Sequence, residues 1–153
     1  MSSLKKYRMA ETGVLHLRDA SDELMYADGA DGKPDPTKPM RVHLYGPGSK
    51  QYARALNERQ NHNVDLLKRK GRTKESAEEA VRINAEFLCG CTQSFENIES
   101  DSGATGETLW METYRDQGLS FIRDQVAAFL NETANFSKPS TTSSVSTSDK
   151  APG

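Results

Sequence analysis

Three histidines, two cysteines and a run of aspartates are the residues best equipped for chemistry, and their spacing decides what each can do. Cys89-Gly90-Cys91 sets its thiols too close for the CxxC half of a zinc site, and no second pair completes four ligands. Two such cysteines make no disulfide framework either, which suits a reducing compartment. His16, His43 and His62 are scattered. If the strands around His16 and His43 pair, their rings approach, but no carboxylate or thiolate pattern joins them, so no metal is expected. Asp28, Asp31 and Asp35 invite a calcium reading, yet Ala30 and Gly32 fall where ligands belong and Pro39 replaces the closing glutamate. Gly46-Pro47-Gly48-Ser49-Lys50 reverses the lysine–hydroxyl order of a phosphate loop, and Pro47 removes a backbone donor. A strand-to-helix turn explains it better. No serine sits in a GxSxG context. Neither an enzyme nor a cofactor is expected.

Charge is more telling in its distribution than in its sum of −2. Residues 1–48 are balanced, residues 49–75 carry a net +5 and residues 76–136 a net −8. Such segments screen each other or offer two opposite faces to partners. Lys68-Arg69-Lys70-Gly71-Arg72-Thr73-Lys74 places five cations in seven residues, enough to touch phosphate. No interleaved aromatics or reader motif accompany it. A helix end with an exposed turn is the plainer account. Lys68, Arg69, Lys70 and Arg72 are therefore read as a secondary partner surface, with nucleic acid not expected.

The elements that must position these residues form an α+β pattern, mostly helical. Val14–Arg18 and Arg41–Tyr45 by number (14–18 and 41–45) read as strands, with 24–26 as a short third, giving a small N-terminal antiparallel sheet. Residues 27–36 are dense in turn formers and read as a loop. Ser49 is placed to cap a first helix over residues 50 to about 70, which Gly71 stops. Thr73 would cap a second helix to about residue 88, with Ala77, Ala80, Val81, Asn84, Phe87 and Leu88 as its stripe. A short third spans 107–115. The fourth has the firmest pattern: Leu119, Ile122, Val126, Phe129, Leu130 and Thr133 recur at helical spacing.

At 153 residues and 35% hydrophobic, the chain is one domain with a thin core. Residues 1–11 read as a flexible lead-in and 12–136 as the domain, β up to 46 and helical beyond. Residues 137–153, rich in Ser and Thr, read as a disordered tail, since one large apolar residue cannot offset the ordering of that backbone. No run approaches the ~20 apolar residues of a membrane span, and the basic start lacks the apolar stretch of a secretory signal.

The order of these features resembles a known family. A sheet with a DGKP turn leads through Val42-His43-Leu44-Tyr45-Gly46 to Ser49 and a Tyr52-containing helix. A second helix, Phe95-Glu96-Asn97 and a closing Phe121-Ile122-Arg123-Asp124-Gln125-Val126 with a later Asn135-Phe136 complete it. This arrangement, over about residues 12–136, resembles the tail assembly chaperones of long-tailed bacteriophages. Phe121 stands where tryptophan is more usual, and residues 100–106 are a Gly-rich insertion.

The resemblance implies a non-enzymatic protein of the host cytoplasm, absent from the mature virion. It would bind the tape measure protein and help recruit tail tube subunits. A longer frameshifted form occurs in some members. Self-association is also allowed. On this reading Leu119, Phe121, Ile122, Val126, Phe129 and Leu130 are partly core and partly client-facing. The first alternative is a structural minor tail or tail completion protein retained in the virion, and the second is a small nucleic-acid-binding regulator that uses the basic segment.

Overall fold

The computed structural model describes residues 3–70 and 76–137, without the side chains of Arg69 and Lys70. Its strands are β1 (Thr12–His16), β2 (Tyr26–Asp28), β3 (Pro34–Pro39), β4 (Arg41–Tyr45) and β5 (Thr92–Glu96). Among the described residues there are four α-helices: α1 (Lys50–Lys70), α2 (Ala77–Gly90), α3 (Gly106–Arg115) and α4 (Ser120–Asn131). Turns of 3-10 helix lie at Leu4–Tyr7, Gln117–Leu119 and Thr133–Phe136. The expected α+β class, mainly helical with a small antiparallel sheet, is what the chain adopts.

The central strand is β4, flanked antiparallel by β1 and β5, with Val14 opposite His43 and Val42 opposite Phe95. Alternation sets its sidedness: Val42 and Leu44 are fully buried, while Arg41, His43 and Tyr45 are half-buried on the other face. β2 and β3 form a separate two-stranded ribbon. The sequence alone reads residues 27–36 of this ribbon as a loop and gives the sheet no strand beyond residue 46. Both points are corrected. Asp31 and Asp35 accept hydrogen bonds from the backbone N–H of Lys33 (3.0 Å) and Thr37 (2.9 Å) respectively, shaping the ribbon's turn. The Thr37 N–H and the Thr37 hydroxyl together hold the Asp35 carboxyl below its ordinary range.

Ser49 caps α1 as its position suggests, accepting from Tyr52 N–H at 3.1 Å and donating to Gly46 carbonyl at 2.7 Å. Ser76 caps α2 through Glu79 N–H; Thr73, the expected cap, lies outside the described residues. The buried face of α2 is also rotated from the expected stripe. Ala77 and Ala80 are exposed, whereas Ile83, Ala85, Phe87, Leu88 and Cys89 are buried. Helices α1 and α2 approach closely at Gly90, where a Cβ would come within 2.8 Å of Ala55 Cβ. Arg59 lies 3.9 Å above the Phe87 ring beside that crossing.

One core joins the buried side of the sheet to α2, α3 and α4. Tyr114 is its largest fully buried side chain; its hydroxyl pairs with Thr92 Oγ1 at 2.7 Å, and Thr92 donates onward to the Leu88 carbonyl. Burial raises the tyrosine's pKa, and it pushes Cys89 and Cys91 up to about 12 each. Phe136 closes the opposite end. It is fully buried against Gly13 and Gly46, with its ring T-shaped to Phe129 at 5.3 Å. The tail beyond residue 137, read as disordered, lies outside the described residues.

Candidate functional site: an acid-rimmed apolar groove

An apolar concavity lies where the two sheets meet α3 and α4. Its floor is Leu17, Met25 and Met40, brought together by a closed ring of backbone bonds. Leu17 N–H donates to Met40 (3.0 Å), Met40 N–H to Met25 (3.0 Å), and Met25 N–H to Leu17 (2.9 Å). Three separate chain passes are thereby fixed at one point without any side chain taking part. Leu109 and Thr113 of α3, Ile122 of α4, Leu119 and Ile98 form the walls of a cavity of about 440 Å³.

Exposed carboxylates stand around the opening: Glu99, Asp101, Glu112 and Asp116. None of the described lining residues is basic. Glu112 is held by the insertion at residues 100–106, accepting from the hydroxyls of Ser100 and Ser102, the latter at 3.0 and 2.9 Å to its two oxygens. Ser100 Oγ also accepts from Ser102 N–H, and Ser102 Oγ from Ala104 N–H. Gly103 (φ 80°) and Gly106 (φ 59°) take left-handed backbone that lets the loop turn so tightly. Behind this loop lies a second cavity, about 480 Å³, lined in part by Phe95, Trp110, Ile98 and Leu109. An apolar floor under a ring of negative charge favours a ligand that is both apolar and cationic.

The residues read from the sequence as partner-binding are only partly gathered here. Leu119 and Ile122 line the groove. Ile122, Val126 and Leu130 are buried in the core, so Val126 and Leu130 present no surface to a client; the helical stripe that suggested docking is chiefly the stripe that closes the fold. Phe121 and Phe129 are partly buried against that core. Lys68 is exposed at the end of α1 and is not a groove residue. The side chains of Arg69, Lys70 and Arg72 lie outside the described residues.

Other side chains tie the elements next to the groove together. Gln125 of α4 clasps residue 18 in both directions, accepting from Arg18 N–H at 2.8 Å and donating to its carbonyl at 2.6 Å. Arg123 donates to the Tyr114 carbonyl at 3.0 Å, tying α4 to the end of α3. Glu96 Oε1 sits 2.8 Å from His43 Nε2 and its Oε2 lies 3.5 Å from Arg41 Nη1, across the β4–β5 pair. Asn97, with φ at 60°, donates to Pro39 carbonyl at 2.8 Å and turns the chain toward Ile98.

His16 and His43 use separate partners, His16 pairing with the Met25 carbonyl at 2.9 Å. Among the described residues no group of three or more His, Cys, Asp or Glu side chains is placed to hold a metal, and no described helix is long and apolar enough to cross a membrane. Compared with known protein families, with curated proteins and with solved structures, the chain matches none.

Proposed function

We propose that this protein is a non-enzymatic tail assembly chaperone of the kind long-tailed bacteriophages use. It holds the helical tape measure protein in solution in the host cytoplasm, helps recruit tail tube subunits, and leaves before the virion is complete. The observation that carries this reading is the acid-rimmed apolar groove itself, which includes one residue of the closing segment that bears the resemblance. Ile122 is one of its walls, Gln125 and Arg123 set the helix that bears it, and Asn97 delivers Ile98 to the opposite side.

The physical demands of the task agree with that site. A tape measure segment is an amphipathic helix, so its holder needs an apolar cleft wide enough for a few large side chains. The client must later be displaced, which suits a small cleft whose rim contributes steering and orientation more than affinity. Leu119 and Ile122 take the client.

The test is co-expression with a long helix-rich tape measure protein, scored by the soluble fraction of that protein. Solubility should rise with this chain present and fall back when the rim is reversed by Glu99→Lys with Asp101→Lys. No rise with the unaltered chain overturns the reading. Mass spectrometry of purified particles decides against the rival: stoichiometric presence would make the protein a retained tail subunit.

A further inference from the structure

The search for a ligand chemistry that fits an apolar, anion-rimmed groove leads back to the chain itself. Residues 3–9, Ser-Leu-Lys-Lys-Tyr-Arg-Met, hold three cations and no carboxylate. They also hold the two most exposed large apolar side chains described, Leu4 at 81% and Tyr7 at 68%, with Met9 exposed beside them. Leu4 and Tyr7 lie three residues apart in a turn of 3-10 helix, so they project from one side as a compact knob. The Lys6 ammonium lies 5.2 Å from the Tyr7 ring. Charged and apolar groups are thus interleaved, the complement of the groove.

Geometry decides whose groove this segment fills. Ala10 donates to the Phe136 carbonyl at 2.7 Å and Gly46 N–H to the Glu11 carbonyl at 2.8 Å, which fastens the segment's root at the Gly46 end of the sheet. The groove floor begins at Leu17, the other end of β1. Seven residue steps from Ala10 to Leu17, through the five residues of β1, separate the two, roughly 23 Å at ~3.3 Å per residue. A 3-10 turn rises only ~2 Å per residue, so the arm's four-residue turn cannot span that distance while Ala10 stays paired.

We infer that residues 3–9 of one copy dock in the groove of a second copy, Leu4 and Tyr7 on the Leu17–Met25–Met40 floor and Lys5, Lys6 and Arg8 against Glu99, Asp101, Glu112 and Asp116. The contact joins two different surfaces, so it is heterologous. Repeated, it propagates into a ring or an open chain instead of stopping at a two-fold dimer. The inference needs no client and is measured without one, so it stands or fails apart from the chaperone reading.

The experiment is sedimentation equilibrium of the full chain alone across concentration and salt. The unaltered protein should associate beyond a dimer as concentration rises, and less so at ~0.5 M salt than at low salt. An arm-reversed variant (Lys5→Glu, Lys6→Glu, Arg8→Glu) and a groove-reversed variant (Glu99→Lys, Asp101→Lys) should each associate at least about tenfold more weakly. Mixed together they should recover association as heterodimers, because the unaltered arm of one then meets the unaltered groove of the other. Leu4→Ser with Tyr7→Ser, exposed positions whose change leaves the fold intact by circular dichroism, should abolish association with every charge unchanged. A monomer at all concentrations overturns the inference. So does an arm-reversed variant that associates normally, or a mixture that stays monomeric.

Discussion

Phe136 and Gly46 should behave as one unit, and a double-mutant cycle will measure it. Phe136 is fully buried, its ring on the bare backbone of Gly13 and Gly46 and its edge on Phe129. A Cβ on Gly13 would come within 2.8 Å of that ring, and one on Gly46 would overlap it outright. Phe136→Ala removes the ring and leaves a cavity that the strand backbone cannot fill, at a cost of about 3–5 kcal/mol. Gly46→Ala forces the ring off its seat and costs about 1–3 kcal/mol. Gly46 is not among the residues at positive φ, so its backbone accepts alanine. With the ring gone, Gly46→Ala should therefore become neutral or gain ~0.4–1 kcal/mol from a stiffer unfolded chain. The second substitution thus changes sign with its background. Urea unfolding followed by Trp110 fluorescence and far-ultraviolet circular dichroism gives all four corners, with the midpoint for Phe136→Ala lowered by roughly 2 M. If the two effects add within ~0.5 kcal/mol, the ring is not seated on Gly46 and the reasoning is refuted.

Three other outcomes follow from the same geometry. Cys89 and Cys91 are held neutral by burial, their pKa pushed up to about 12. The unfolded thiols ionise from about pH 9 while the folded ones do not, so stability is full below that and falls as pH rises through the window from 9 to 12. The slope is up to ~1.4 kcal/mol per pH unit for each thiol, and denaturant melts at stepped alkaline pH should trace it; a flat profile refutes it. Gln125→Ala leaves both polar groups of residue 18 unpartnered at a partly exposed site and should cost about 1–2 kcal/mol in the same unfolding assay, with Gln125→Glu only partly restoring the loss. Glu112→Ala frees the hydroxyls of Ser100 and Ser102 and should speed amide exchange at Ser102 and Ala104 severalfold while leaving exchange in α2 unchanged.

Elements that stabilise themselves locally were legible in the sequence. Helix α1 runs from Lys50 to Lys70 because Ser49 caps it and a basic turn follows, both visible in the order of residues. β4 was visible because Val42 and Leu44 alternate with polar neighbours. β5 was not, because Thr-Gln-Ser carries no apolar alternation and its pairing is supplied by β4, about a third of the chain away in sequence. The ribbon of β2 and β3 was hidden by its own composition: prolines and aspartates signal turns, and here the aspartates shape the turn while the flanks still pair. Ser76-Ala77-Glu78-Glu79 has the spacing of a capping box and was the available signal for the true start of α2. The groove itself could not be read, since its floor is drawn from three distant chain passes and its walls from two helices and two connections. Only its charge was foreshadowed, by the net −8 of residues 76–136.

The triangle of main-chain bonds among residues 17, 25 and 40 has a bearing on how this surface would change over generations. Because the scaffold there is peptide backbone, altering a side chain removes none of what holds the three passes together. Two of the three floor side chains are methionines, unbranched and soft enough to reshape around different visitors. Preference for a new guest can thus drift at positions 17, 25 and 40 with the platform beneath them left standing.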